Sequence, residues 1–382
     1  MENYYFNFKD LFKAPRAAIG PQRIGIAAMG LLLAHAVWLV FSYLALLLNG
    51  TAPADVWYSH GLLINPFLFS LSLPAKIVSG TGAAAAVFML LITNTAVSRA
   101  SYMLLRGSLF YTWKKAFRFA FGKSRSIAAN YIVFMFMISP FIIGGITLSV
   151  LGRIPWFGEI VNAMAALIYI FAGLALVFLT LSVFISFVYG PVIFSCAEED
   201  GFGSSVQSLY LTWGQPWRLV LYGTITVFMS ITAVLFFAFV LKAGLIIYSN
   251  LFMPLMHSMA PILNNALYYI QCSLGEFDAV IRSILGGSGA RILYLKQLYI
   301  LQDLPLSAQI SSWIVYLSFL LAGYMAAGYG LAVFNTSLVI SFINFSKRLT
   351  GTDLLKRDDT EIDEEESDIK IDPKEGDIKY LG

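Results

Sequence analysis

Long stretches without a single charged side chain decide what this chain can fold into. Ile24–Leu48, Ile77–Val97, Ile127–Leu151, Ile160–Cys196 and Leu219–Leu241 contain no Asp, Glu, Lys or Arg, and a sixth apolar run lies within Ser312–Phe345. A bilayer core takes about 20 consecutive apolar residues per helix, or about 10 alternating ones per barrel strand. These runs are continuous, so the expected fold is all-α: a polytopic transmembrane bundle of about six spans. Pro140 and Gly144-Gly145 are expected to bend the third span, and Gly190-Pro191 to end or kink the fourth.

Charge usage agrees. Only 12% of the residues are charged, about half the share of a soluble domain, and the mean hydropathy is +0.75. Of the 22 Asp and Glu, 12 lie between Asp353 and Asp377. This excludes an ordinary soluble enzyme and a disordered main body. Cys196 and Cys272 are too few and too far apart for a disulfide framework or a thiolate metal site. The first 23 residues carry Lys9, Asp10, Lys13, Arg16 and Arg23 without an apolar core, so the first span is expected to act as an uncleaved membrane signal.

Lys and Arg set the expected orientation. With six spans and the N-terminus inside, 19 of the 25 fall on the inner side and 6 on the outer. Both termini are therefore expected in the cytoplasm, in a cell membrane of the bacterial inner-membrane type. The domain reading has three parts. Residues 1–23 form an amphipathic cytoplasmic segment, 24–346 a membrane domain, and 347–382 an acidic, disordered cytoplasmic tail. Within the membrane domain, 243–310 reads as an outer helical region. Asn250, Pro254, Pro261, Asn264 and Asn265 place Ala243–Gly275 outside the membrane core. A stripe of Phe277, Val280, Ile281, Ile284 and Leu285, broken at Gly286–Gly289 and resumed by Ile292, Leu295, Leu298 and Leu301, suggests a helical hairpin there.

The stretch ahead of each odd-numbered span is similar. Tyr5, Phe8, Leu11, Phe12 and Pro15 precede the first span. Phe110, Trp113, Phe117, Ala120 and Phe121 precede the third, and Val206, Leu209, Tyr210 and Trp213 the fifth. Each stretch meets a glycine and then an arginine: Gly20 and Arg23, Gly122 and Arg125, Gly214 and Arg218. This spacing suggests three units, each a cytoplasmic interfacial helix followed by a transmembrane hairpin. The arginines, together with Lys114, Lys115 and Arg118, become candidate contacts for lipid phosphates. The partner they imply is anionic lipid of the inner leaflet, with no nucleic acid.

One segment resembles a known pattern. Gly190-Pro191-Val192-Ile193, then Glu198-Glu199-Asp200-Gly201, then Ser204 to Leu209 and Trp213 is similar to the membrane domain of glycerophosphodiester phosphodiesterases and to YciC-like integral membrane proteins. Those families usually carry Ala-hydrophobic-Arg-Ser in the helix; here Val206-Gln207-Ser208-Leu209 lacks the arginine. These residues match the membrane part alone and not the soluble phosphodiesterase domain, so the resemblance implies a membrane module and the hydrolase activity is not expected.

Chemistry-bearing residues are sparse. His35 lies inside the first span, where a neutral helix-packing donor is the expectation and a proton path the alternative. His60 and His257 lie in outer connections. Asn94, and Asn335 with Thr336 and Ser337, are expected to bond between helices, with a polar cavity lining as the alternative. Gly80-Thr81-Gly82-Ala83-Ala84-Ala85 fits a dinucleotide fingerprint without the preceding strand, so close helix contact explains it better. Ala322, Gly323, Ala326, Ala327, Gly328 and Gly330 form a second small-residue patch. Gly286–Ala290 imitates a nucleophile elbow but ends in Ala and reads as a turn.

No catalytic constellation, metal ligand set or cofactor motif emerges. The expected function is a non-enzymatic, membrane-embedded binding or scaffold component of an envelope or transport system, with a membrane or cytosolic protein partner. A transporter or channel for a small or lipid-like solute is the alternative. A closed bundle with an exposed apolar groove favours the first, and a buried polar cavity open to one side the second.

Overall fold

The computed structural model describes residues 6–52, 55–57, 62, 64, 66, 70–108, 111–252, 254, 256–274, 299–356, 369–371 and 378–380. Tyr5, His60, Phe110, the hairpin stripe from Phe277 to Leu298 with its glycine turn, and the acidic run Asp358–Glu366 lie outside them. Within them the main body is an all-α membrane bundle, followed by one short β-ribbon. After a 3-10 turn at Phe8–Lys13 come α1 (Ala14–Ala18), α2 (Pro21–Leu48), α3 (Leu73–Leu105), α4 (Trp113–Gly122) and α5 (Ser124–Leu151). They are followed by α6 (Phe157–Met164), α7 (Ala166–Cys196), α8 (Gly201–Gly214), α9 (Pro216–Phe252), α10 (Met259–Leu274) and α11 (Leu306–Leu349). Six long apolar segments suffice to cross a membrane: α2, α3, α4 with α5, α7, α9 and α11.

Local chemistry explains the helix ends. Pro21 opens α2 at its first position, where a missing N–H costs nothing. Gly50 closes it with φ +84°, its N–H donating to Leu47 O at 3.0 Å, and Gly107 closes α3 in the same left-handed way at φ +103°. Thr112 caps α4, and Asp200 caps α8 by accepting from Gly203 N at 2.7 Å.

Three boundaries differ from the sequence reading. Helix α7 passes through Gly190-Pro191 to Cys196, because the residues beyond the proline are buried on all sides and held by tertiary packing. Helix α9 runs on to Phe252, past the span end read at Leu241, since a lone Lys242 breaks no backbone hydrogen bond. The ordered body also extends into the tail: Leu354 is buried, and Tyr102 Oη donates to its carbonyl at 2.6 Å. Further on, β1 (Ile369–Ile371) pairs antiparallel with β2 (Ile378–Tyr380), a ribbon of a size that is marginal alone in water.

The core sits at one end of the bundle, where Asn7 meets Asn344 near the end of α11; we call it the base. There α3, α7 and α11 meet one another pairwise. The last turns of α11, from Asn335 to Phe345, are buried on every face. Tyr222 stacks on Phe345 at 5.0 Å, and Tyr189 lies 6.0 Å from the same ring. Toward the opposite end α5 and α7 diverge into lipid-compatible surface. Ile143, Ile146, Leu167, Ile168 and Phe171 there are all exposed, the state expected when bilayer replaces water.

Each short helix at the base rests on the long helix that precedes it, α4 on α3 and α8 on α7, while α1 rests on α11 and closes the ring. Helix α1 buries Ala14 and Ala18, and α4 buries Ala116, Phe117 and Ala120 while Trp113 and Phe121 stay exposed. In α8 the buried side is Ser204, Ser205, Ser208 and Thr212, and the exposed side is Phe202, Val206, Tyr210 and Trp213. A helix of that kind is stable only where lipid covers the aromatic side.

The asparagines of α10 satisfy backbone beside the last span. Asn264 Nδ2 donates to Ile300 O at 2.7 Å, Asn265 Nδ2 to Gln302 O at 2.8 Å, and Gln302 N returns to Asn265 Oδ1 at 2.9 Å. Tyr269 stacks on Trp313 at 4.5 Å and ties this helix to α11.

Candidate functional site

Polar residues that are scattered in sequence converge at the base. Asn335 Nδ2 donates to Asn94 Oδ1 at 3.1 Å and to Leu331 O at 2.9 Å, while its Oδ1 accepts from Ser98 Oγ at 3.1 Å. One helical turn on, Ser101 Oγ and Thr336 Oγ1 are 2.9 Å apart. Asn94 and Asn335 thus pair with each other between α3 and α11, the interhelical bonding expected of them. A second cluster joins α5, α7 and α8: Asn130 Nδ2 donates to Ser186 Oγ at 2.7 Å, and Ser205 Oγ to Asn130 Oδ1 at 2.8 Å.

Arg99 is the centre of the base and was missed in the sequence, where it reads as a loop cation beyond the second span. It lies within α3 and is 0% exposed. Its Nη1 donates to Ser195 O at 2.9 Å and lies 3.2 Å from Glu198 Oε1. Its guanidinium also sits 4.3 Å above the Phe119 ring of α4. Glu198 holds a left-handed backbone, φ +54°, just after α7, a conformation that costs a non-glycine residue about 1 kcal/mol or more. Glycine suits that turn better, but only a carboxylate there meets the arginine. Lys123 Nζ donates to the Glu198 carbonyl at 2.7 Å and pins the same turn from outside. The acidic triplet Glu198-Glu199-Asp200 was the available signal; its partner was not legible.

His35 bridges α2, α11 and the connection between α2 and α3. Its Nε2 lies 2.9 Å from Leu62 O, which can only accept, so Nε2 carries a proton, and Nδ1 meets the Tyr324 hydroxyl. A neutral ring in this tautomer has both nitrogens satisfied. We therefore expect His35→Gln to be nearly silent and His35→Leu to cost about 0.6–2 kcal/mol in thermal unfolding in detergent. A stable His35→Gln protein that loses a proton flux measurable for the parent in proteoliposomes would reverse this assignment.

The other candidates separate by burial. Lys114, Lys115, Arg118 and Arg125 are exposed at the base, and Arg218 is half-buried with Nη1 donating to Gln215 Oε1 at 3.2 Å. Arg23 is buried, whereas Arg125 lies open at the surface. The small-residue patches pack: a Cβ at Gly82 would meet Phe41 Cβ at 2.3 Å, and one at Gly328 would meet Ala28 N at 2.8 Å. Cys196 is buried and Cys272 exposed, and no cluster of three metal-ligating side chains occurs among the described residues.

A groove completes the picture. Between α2, α9 and α11 lies a cavity of about 380 Å³, lined by Ile24, Gly25, Ala28, Leu32, Phe237 and Met325. It falls in the size range of small-ligand clefts, about 300–1,000 Å³. Its walls are almost wholly apolar, so it offers a hydrocarbon chain a fit and a polar solute no hydrogen bonds. Comparisons with protein-family models, with curated proteins and with solved structures give no match for this chain.

Proposed function

We propose that this protein is a non-enzymatic membrane scaffold whose ligand is lipid, with the base on the cytoplasmic side. The observation that carries the reading is the contrast between its two kinds of site. Polar side chains at the base close on one another, as in Asn94–Asn335–Ser98 and Arg99–Glu198, whereas the groove beside α2 is apolar. The exposed aromatics Phe8 and Phe12 of the N-terminal turn, Trp113 and Phe121 of α4 and Phe202, Tyr210 and Trp213 of α8, with the exposed Lys114, Lys115, Arg118 and Arg125, suit an anionic inner leaflet. The likeness of the Gly190–Trp213 stretch to phosphodiesterase membrane domains supports the same role, a membrane module.

Gly25 provides the test. A Cβ there meets nothing within 4 Å, so Gly25→Leu fills the groove without disturbing the bundle. Displacing about two acyl methylenes, at about 0.8 kcal/mol each, should weaken phospholipid retention about tenfold. Native mass spectrometry of the detergent-purified protein counts the retained lipid. Unchanged retention, together with solute conductance in proteoliposomes, would favour the transporter.

A further inference from the structure

The three glycine–arginine pairs at the base are not equivalent, and the first is incomplete as it stands. Arg23 is only 9% exposed, and its Nε is enclosed without a hydrogen bond. Among the described residues its guanidinium has no hydrogen-bond or ion-pair partner. The carboxylate of Asp10, in the same N-terminal segment, is already engaged by Lys13 Nζ at 3.3 Å and by Asn7 N–H at 3.2 Å. A guanidinium stays charged at any working pH, and a buried charge without a counter-charge is strongly unfavourable. No described residue supplies that counter-charge, and an anion bound at this end of the bundle would.

The position of the guanidinium indicates which charge. It lies directly on Gly20: a Cβ there would be 2.1 Å from Arg23 Nη2 and 2.8 Å from Cζ. Gly20 is the N-cap of α2, a helix of 28 residues, and no side chain caps that end. The positive end of the helix dipole and the arginine thus meet at one point, an arrangement suited to an oxyanion with several acceptors. Ile19, Pro21 and Ile24, on either side of Gly20, line the start of the apolar groove.

We propose that Gly20 and Arg23 form a binding site for a phosphate group, supplied by an anionic phospholipid of the leaflet at the base whose acyl chain occupies the groove. This rests on the lipid reading above and adds the headgroup chemistry. Glycine is needed at position 20 because any larger residue displaces the guanidinium, and arginine at 23 because its fork matches two phosphate oxygens.

The experiment measures the thermal midpoint in an uncharged detergent with phosphatidylglycerol, with diacylglycerol of the same chains, or with inorganic phosphate. The parent protein should gain more from phosphatidylglycerol than from diacylglycerol. Arg23→Gln should abolish that difference, weakening phosphatidylglycerol binding by about ten- to a hundredfold, while its lipid-free midpoint stays equal or rises, since an unpaired buried charge has gone. Gly20→Ala, which leaves the charge in place, should weaken the same difference and serves if Arg23→Gln does not fold. A difference that survives both changes overturns the site. An equal gain from inorganic phosphate overturns the lipid assignment in favour of a soluble anion. Gly25→Leu should reduce the gain from both lipids alike; if it changes nothing while Arg23→Gln abolishes the phosphate-dependent part, the anion site stands and the groove reading falls.

Discussion

Arg99→Ala will lower the unfolding free energy of the detergent-solubilised protein by about 3–5 kcal/mol, the usual loss when one member of a buried ion pair is removed. The pair joins α3 to the turn after α7, and the same guanidinium holds Ser195 O at 2.9 Å and covers Phe119. Removing it leaves a carbonyl without its donor, a carboxylate without its counter-charge and a void beside an aromatic ring. The Glu198 side chain is 22% exposed, so its carboxylate can recover some hydration, and the lower end of the range is expected. Arg99→Lys keeps the charge but loses the planar fork and should fall in between. In Glu198→Gly the relaxed left-handed turn offsets part of the lost ion pair, so it should cost less than Glu198→Ala. Equilibrium unfolding in mixed micelles measures each variant, and a double-mutant cycle between positions 99 and 198 isolates their coupling. A cost below about 1 kcal/mol for Arg99→Ala would show that the pair does not hold the base together.

The second large effect belongs to the helix crossing at Gly328. A Cβ there would lie 2.8 Å from Ala28 N, 3.0 Å from Ala28 Cβ and 3.0 Å from Ile24 O. Two of these atoms are backbone, which no rotamer change can move aside, so α2 and α11 must separate. We expect Gly328→Ala to cost about 1–3 kcal/mol and Gly328→Leu more. Gly323 is the control, on the same helix with nothing within 4 Å of an added Cβ. Gly323→Ala should be neutral or stabilising by up to about 1 kcal/mol, through helix propensity alone. Equal costs at the two positions would show that close approach at Gly328 is not what the glycine serves. Because the groove lies between these helices, Gly328→Leu should also alter lipid retention, while Gly323→Ala should not.

These residues show how far one-dimensional patterns reach. The six spans were legible because hydropathy is a property of the chain itself: about 20 uncharged residues in a row have no home but a bilayer core. Asn94, Asn335 and His35 were legible as helix-packing groups because an isolated polar side chain in such a run must find a partner within the bundle. Small residues at Gly82 and Gly328 were legible as contact points for a similar reason: they leave room that only another helix fills.

The amphipathic segments were readable as helices but not as oriented ones. The period of α8 separates Ser204, Ser205 and Ser208 from Phe202, Val206 and Tyr210. In water the aromatic side would be buried, whereas at a bilayer surface lipid takes that side and the serines turn inward. Periodicity marks the two faces without saying which environment meets each.

Charged residues near span ends were the least legible. In sequence Arg23, Arg99, Arg125 and Arg218 look alike, each a cation beside an apolar run. Folding makes Arg99 half of a buried ion pair, leaves Arg125 in the open, gives Arg218 a glutamine and encloses Arg23 over a glycine with no partner among the described residues. Hydropathy is set by each residue and its immediate neighbours, so the chain alone determined which segments are apolar and how many can span a membrane. The state of a charge is set by what arrives beside it from elsewhere in the chain. Glu198 reaches Arg99 across nearly a hundred residues, a convergence that exists only once α3 and α7 have packed.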